Sequence, residues 1–363
     1  MIFHFDGNAI VYCEGAFNTT NGKTAHGLVR FTRRYKVLSV LDSRYAGQDA
    51  GQVLDLKPNG IPIYETLDEA AALAREEGNP ATHFVIGLAP DGGRLAPEAR
   101  EAVRQAIELK LHIVCGLHDY LTEDPLMVEL AQMHGVTLTD VRKPPTVDML
   151  HFFEGKIEQV DSFKIAMLGT DSAVGKRTTA WRIADGLMER GHTSEMIGTG
   201  QTSWLQGARY GCIMDSLIND FVAGEIEHAV WSAWHEQKPE YIIIEGQGSL
   251  LNPAYPGGFE ILAAGRPDAV ILQHAPLRRE YDGFPGYTLH DLKRQIGAIE
   301  VISEKPVIAI TVNHEHIKHE DIPRICAELE DKYGLPTADV LVQGADKIVQ
   351  AVLDAEQKLR KTR

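Results

Sequence analysis

Gly169, Gly175, Lys176, Thr178 and Thr179 fall in one run, Gly169-Thr170-Asp171-Ser172-Ala173-Val174-Gly175-Lys176-Arg177-Thr178-Thr179, directly after the apolar stretch Phe163 to Leu168. A buried strand, a glycine-bounded loop and a helix start in that order form a cradle for phosphate. Successive N–H groups point into one concavity, the helix N-terminus adds partial positive charge, and the lysine reaches over the anion. Every residue of the run except Ser172 is therefore a candidate phosphate contact. Arg177 occupies the position after the lysine, where a hydroxyl usually meets Mg²⁺. One helical position is a turn of about 100°, so Thr178 has to supply that oxygen from another direction. The loop specifies a phosphate-rich ligand more firmly than it specifies a metal.

Five residues separate Gly169 from Gly175, one more than in the usual phosphate loop. That longer spacing, with Gly-Thr-Asp and Val-Gly-Lys at its ends, resembles dethiobiotin synthetase and its relatives. The resemblance implies a second signature, a hydrophobic strand ending in Glu-Gly-x-Gly whose carboxylate faces metal and phosphates. Tyr241-Ile242-Ile243-Ile244-Glu245-Gly246-Gln247-Gly248 has this form. Lys176 and Glu245 are then the candidate catalytic pair, with Thr178 and Glu245 as metal ligands if ATP and Mg²⁺ are used.

Other residues that suit chemistry follow further apolar runs. Gly198-Thr199-Gly200-Gln201-Thr202 comes after the expected strand from Thr193 to Ile197, and its glycines admit a ligand close to the backbone, with Gln201 and Thr202 as polar contacts. Asp215, Asn219, Asp220, Glu225 and Glu227 lie on an expected helix, mostly as a solvated face, with Asp220 the candidate for a metal or a substrate ammonium. Gln247 and the irregular loop Asn252 to Gly258, with Tyr255, suit substrate recognition. Arg278, after the strand from Ala269 to Gln273, offers a planar fork for a carboxylate or phosphate. His118, in Gly116-Leu117-His118-Asp119, is a candidate for proton transfer.

These motifs need elements to carry them. Before residue 145, short apolar runs (Ala9 to Cys13, Lys36 to Leu41, His83 to Leu88, Leu111 to Cys115) alternate with helical patterns at Thr66 to Glu77 and Pro97 to Lys110. That alternation predicts a parallel sheet with crossover helices, a Rossmann-like domain. Its Gly15 to Thr24 loop has no GxGxxG, and Asp42 reads as a strand-terminal aspartate rather than a ribose ligand. Pro144-Pro145 interrupts regular structure. The expected organisation is a Rossmann-like domain at 1–145, a linker at 146–162 and a doubly wound phosphate-loop domain at 163–363, closed by a helix from Ala345 to Leu359.

The chain has 363 residues with 36 Lys+Arg against 51 Asp+Glu, net charge −15, which disfavours a nucleic-acid or anionic-membrane partner. Any anionic ligand must be held locally by loops and a few cations. Cys13, Cys115, Cys212 and Cys326 form no CxxC pair, which points to thiols of a reducing compartment rather than zinc ligands. The N-terminal residues show no signal-peptide pattern and no stretch reaches 18 apolar residues. A cytoplasmic protein is expected. Closed homo-oligomers are common among such folds, so a homo-oligomer is a prior.

Leu41 to Gly47, Gly87 with Gly92 to Leu95, Gly116 to Asp119, Val141 to Pro145, the Gly169 to Lys176 loop, Thr199 to Thr202, Asp220 to Gly224 and Glu245 to Ser249 together resemble the D-glutamate N-acetyltransferase-like family, long catalogued as a domain of unknown function. The resemblance implies a Rossmann-like N-terminal domain, a P-loop C-terminal domain, and acetyl transfer from acetyl-CoA to the amino group of a D-amino acid. The residues taken alone favour a different enzyme, one that uses ATP and Mg²⁺ to activate a carboxylate, as a ligase or kinase. A nucleotide-sensing protein without turnover is the third reading. Under either enzyme reading the substrate is a small amino acid or carboxylate.

Overall fold

The computed structural model describes residues 5–362, so Met1 to His4 at the expected N-terminus and Arg363 lie outside the described residues. The chain divides into two compact units, one formed by residues 1–144 with 201–207, the other by 145–200 with 208–363.

The first unit runs β1 (Gly7–Tyr12), α1 (Lys23–Arg30), β2 (Tyr35–Leu41), α2 (Ala50–Asp55), β3 (Ile63–Tyr64), α3 (Leu67–Glu76), β4 (His83–Ile86), α4 (Pro97–Glu108), β5 (His112–Cys115), α5 (Pro125–His134) and β6 (Leu138–Asp140). Its six-stranded sheet has the order β3-β2-β1-β4-β5-β6, all neighbours parallel, which is the order of a dinucleotide-binding Rossmann sheet. Ile10, Val11, Phe84, Val85 and Ile113 are fully buried. Strands covered on both faces need apolar residues at every position, which is why they read as continuous runs in the sequence.

Local chemistry sets the element ends. Thr66 lies just outside α3, where its side chain accepts from Glu69 N (3.3 Å) as the N-cap. Helix α4 begins at Pro97, whose missing N–H costs nothing in the first turn, and stops at Glu108 because Lys110 takes a left-handed conformation (φ 62°). The strand expected to reach Leu88 ends at Ile86: Gly87 N makes the last ladder bond, to Tyr12 O (2.7 Å), while Gly87 O leaves the ladder and accepts from Ala25 N (3.0 Å).

The second half of the chain supplies β7 (Phe163–Gly169), α6 (Lys176–Glu189), β8 (Ser194–Gly198), α7 (Gln201–Leu205), β9 (Tyr210–Gly211), α8 (Asn219–Gln237), β10 (Tyr241–Glu245), α9 (Gly258–Gly265), β11 (Ala269–His274), α10 (Leu292–Ser303), β12 (Val307–Val312), α11 (Ile322–Tyr333), β13 (Thr337–Ala338) and α12 (Asp346–Thr362). The seven-stranded sheet is ordered β13-β12-β11-β7-β10-β8-β9, again with parallel neighbours. The phosphate-loop strand β7 is therefore central, flanked by β10 and β11, and every residue of it is buried. Parallel strands deliver their carboxyl ends to one edge of the sheet, where α/β ligands sit.

Three expectations change. Residues 201–207 belong to the first unit: Gln206 Nε2 donates to the carbonyls of Gly27 (2.8 Å) and Phe31 (2.9 Å), and the Arg34 guanidinium stacks 3.9 Å over the Trp204 ring. The acidic set is not all on one helix, because Asp215 sits in a short turn (Met214–Ser216) before α8 begins at Asn219. Nor is that set uniformly solvated. Glu227 is 2% exposed and accepts from Glu154 N (2.7 Å) and Ile157 N (3.1 Å), and Glu225 accepts from His151 N (2.7 Å). These carboxylates hold the segment expected as a linker against α8, where Ile157 and Val160 join the core of the second unit.

All four cysteines are buried free thiols. Among the described residues no helix is long and apolar enough to cross a membrane.

Candidate functional site

Lys176 opens α6, and its aliphatic stem lies in a slot between two glycines. A Cβ on Gly169 would stand 2.8 Å from Lys176 Cδ, and one on Gly246 would stand 2.9 Å from the same atom while running into the Met167 carbonyl. A side chain at either position would displace the lysine stem from its present path. The glycines that end β7 and follow β10 thus both leave room for Lys176 to pass over the sheet edge, and Gly246 also lets β10 approach the Met167 carbonyl. Gly246→Ala is expected to cost about 1–3 kcal/mol by overpacking and to weaken anion binding in parallel, read by thermal denaturation and by titration with pyrophosphate.

The loop itself carries positive φ at Ala173 (52°) and at Gly175 (99°), two residues apart. Left-handed residues at alternate positions aim successive N–H groups into a concavity, and the alanine holds that conformation against its ordinary steric preference. Gln273 in β11 and Asn313 just after β12 tie down the loop and the start of α6. Gln273 Oε1 accepts from the hydroxyls of Thr179 and Thr311 (both 2.6 Å), and Asn313 Nδ2 donates to Val174 O (2.8 Å). Thr170 shares a hydrogen bond with His274 Nδ1 (3.1 Å). Burial, assisted by Arg279 and Lys332, pushes His274 down to about 4, so the ring is neutral at pH 7.

Lys176 Nζ donates to the Asp171 carbonyl (2.7 Å). Burial lowers its pKa to about 8 against the opposing charges of Asp171 and Glu245. A lysine at this value is charged at pH 7 and loses its proton just above. An anion held by it should therefore bind progressively more weakly from pH 7.5 to 9.5, a range in which a phosphate monoester, with its second pKa of ~6, has constant charge. Titration of ADP binding against pH checks this, and the slope should vanish in Lys176→Ala. Folding has the opposite sign. The folded-state pKa lies below the ordinary lysine value of 10.5, so the cost of burying the charge is complete below pH 8 and fades as pH rises toward the unfolded value.

Asp171 is fully buried and its carboxylate organises the surrounding loops. Oδ1 accepts from Ser172 N (2.7 Å) and Asn252 Nδ2 (2.9 Å), and Oδ2 accepts from Arg278 Nη1 (2.8 Å) and Asp282 N (2.8 Å). Arg278 also donates to Ser172 O (2.7 Å) and pairs with Glu315 (2.8 Å). Burial works against the guanidinium charge, but the hydrogen bonds and charges of Asp171 and Glu315 outweigh it and hold the pKa above its ordinary value. The side chain expected to meet a substrate carboxylate is thus engaged by two carboxylates of the protein, and Asp171 acts on the loop through its partners. Nothing in the sequence pattern singled out Asn252, Gln273 or Asn313 as partners of this loop.

Glu245 ends β10, 6% exposed, with Oε2 accepting from Thr199 N (2.8 Å). Gln247 lies near the backbone of Gly200, whose absent Cβ would be 3.8 Å from Gln247 Oε1. Tyr255 is half exposed on a loop whose N–H groups at Ala254 and Tyr255 donate to Asn252 Oδ1 (both 2.9 Å). Thr178 and Arg177 are half-buried in the first turn of α6. Asp220 is exposed in the first turn of α8, where the helix dipole favours an acid.

The remaining sequence candidates belong to the first unit. His118 is exposed after β5, its N–H donating to Gly93 O (2.8 Å), while the neighbouring Asp119 accepts from Arg100 Nη2 (2.8 Å) and Leu95 N (3.2 Å). The Gln201 side chain packs where Gly116 lacks a Cβ (3.0 Å to Cγ), and the Thr202 hydroxyl faces that of Thr24 (3.3 Å). Asp42 is fully buried and held by Phe17 N (2.9 Å) and Arg44 (2.6 Å).

Comparison with known proteins agrees with this architecture. Residues 151–349 match the family model described as a domain of unknown function (DUF1611_C), P-loop domain, and residues 43–144 match the model described as a domain of unknown function (DUF1611_N), Rossmann-like domain. A D-glutamate N-acetyltransferase of Tritonibacter scottomollicae is 32% identical over 297 residues, covering 79% of this chain and 84% of that protein. Another from Pseudoalteromonas sp is 31% identical over 302 residues, 81% of this chain and 88% of that protein. The crystal structure of a DUF1611 family protein from Anabaena variabilis superposes with a TM-score of 0.87 at 27% identity, covering 96% of this chain and all of that one. With both domain models matched in order, the relatives aligned over most of their length and the same architecture in a solved member, the chain belongs to the DUF1611 family.

Proposed function

We propose that this protein transfers the acetyl group of acetyl-CoA to the amino group of a D-amino acid, with D-glutamate the first substrate to test. The observation that carries the reading is the glycine-walled slot that delivers Lys176 to a loop built for phosphate, in a chain about one third identical to proteins named D-glutamate N-acetyltransferase. The pyrophosphate of CoA suits the concavity of residues 169–176, and Arg177 in place of a metal-binding hydroxyl suits a ligand that is held by cations.

Acetyl transfer needs an unprotonated amine to attack the thioester carbonyl, a donor to steady the oxyanion, and departure of the CoA thiolate. Glu245, a buried carboxylate whose charge is felt by Lys176, is the group assigned to accept the amine proton. Its bond to Thr199 N fixes one oxygen.

The same carboxylate at the end of β10 favours a second reading, in which ATP and Mg²⁺ activate a carboxylate and Thr178 and Glu245 hold the metal. Incubation of the purified protein with acetyl-CoA and D-glutamate should release CoA thiol in step with N-acetyl product, and L-glutamate serves as the comparison. ADP or phosphate release from ATP, dependent on Mg²⁺ and on a carboxylate, with acetyl-CoA inert, would replace the first reading by the second.

A further inference from the structure

Two loops tied to the phosphate loop carry aromatic rings, two of them exposed. The first follows β10 and presents Tyr255, 53% exposed, and the second follows β11 and carries the half-buried Phe284 and Tyr287, 59% exposed. The rings are contiguous. Tyr255 and Phe284 have centroids 6.2 Å apart and tilted by 59°, and Phe284 and Tyr287 are 6.2 Å apart, edge to face at 75°.

The frame under these rings is tied together by hydrogen bonds. In the second loop Tyr281 is 3% exposed, with its hydroxyl bonded to His290 Nδ1 (2.8 Å), and the backbone closes through Tyr281 N to Tyr287 O (3.0 Å) and Leu289 N to Arg279 O (2.8 Å). In the first loop Ser249 N donates to Tyr255 O (3.0 Å) and Asn252 Oδ1 caps the turn. Both loops are tied to the phosphate loop by one carboxylate, since Asn252 Nδ2 and Asp282 N each donate to Asp171. Tyr255 is three residues from the first tie and Phe284 two from the second, a chain reach of at most about 11 Å and 7 Å. The three rings lie outside the core cluster of the second unit, so this aromatic surface on loops tied to the phosphate loop is not needed for the core. It offers a flat π-face that stacks a base with little further loss of freedom.

We infer that Tyr255, Phe284 and Tyr287 form the seat of the purine ring of the nucleotide whose phosphates the 169–176 loop holds. The inference rests on the phosphate-ligand reading of that loop, and it holds for acetyl-CoA and ATP alike because both carry an adenosine diphosphate portion. It moves Tyr255 from substrate recognition to ligand-base recognition and adds two rings that no motif marked.

The test is calorimetric titration of the full chain with ADP and, separately, with pyrophosphate, for the parent protein, Tyr255→Ala and Tyr287→Ala. Both tyrosines are exposed, so the variants should fold, which circular dichroism checks. Each variant should bind ADP about 5- to 100-fold more weakly and pyrophosphate within twofold of the parent, while Tyr255→Phe should keep ADP affinity. Unchanged ADP binding in both alanine variants would overturn the inference, and lost self-association alongside it would assign the rings to an interface between copies. Equal weakening of ADP and pyrophosphate would also overturn it, since the rings would then be shaping the loop. If the parent bound no pyrophosphate, the phosphate reading would fall and take this inference with it.

Discussion

Lys176→Ala should lower affinity for pyrophosphate and for ADP by roughly 10- to 100-fold, the worth of a charge-assisted hydrogen bond to phosphate. The lysine is 7% exposed and rests on the Asp171 carbonyl in a slot of two glycines. A ligand phosphate has to draw the ammonium from that carbonyl, and the variant has no side chain to follow. Stability should move little or upward, because the buried ammonium carries a desolvation cost that alanine removes. Calorimetry with pyrophosphate and a thermal melt on the same sample separate the two effects. Binding that survived intact would mean the loop is not the anion site.

A larger stability effect is expected at Asp171. Asp171→Ala removes a fully buried carboxylate that accepts from Ser172 N, Asn252 Nδ2, Arg278 Nη1 and Asp282 N. Arg278, whose side chain is 11% exposed, would keep only Glu315 as a carboxylate partner. Breaking a buried pair on one side costs about 3–5 kcal/mol, and this one also leaves backbone and amide donors without partners. The melting temperature should fall by many degrees. Glu315→Gln is the comparison: Glu315 is 39% exposed and solvent screens it, so its loss should cost about 1 kcal/mol or less. Equal effects for the two would mean that Asp171 is not the centre of the network.

Both predictions turn on residues that the sequence presents very unequally. Lys176 stands in a recognisable spacing, and the anion-holding role proposed for it is read from the order strand, loop, helix. Asp171 sits in the same motif and reads as a phosphate contact, yet its carboxylate faces inward toward partners 81 and 111 residues along the chain. Arg278 likewise reads as a free fork after a strand, and the fold spends it on Asp171 and Glu315.

What the amino-acid sequence determined by itself is what depends on near neighbours. Apolar runs such as Ile242-Ile243-Ile244 mark strands covered on both faces, Thr66 and Pro97 mark helix starts, and the glycine spacing from Gly169 to Gly175 marks a phosphate loop. These signals are local because backbone conformation and burial pattern are set within a few residues. Tertiary structure decided which polar groups satisfy one another. It gave Glu227 to the backbone of Glu154 and Ile157, packed residues 201–207 with the first unit, and paired Gln273 with Thr179 and Thr311. A buried donor or acceptor must find a partner, but many distant side chains could serve, and only the assembled sheets bring one of them within hydrogen-bonding distance.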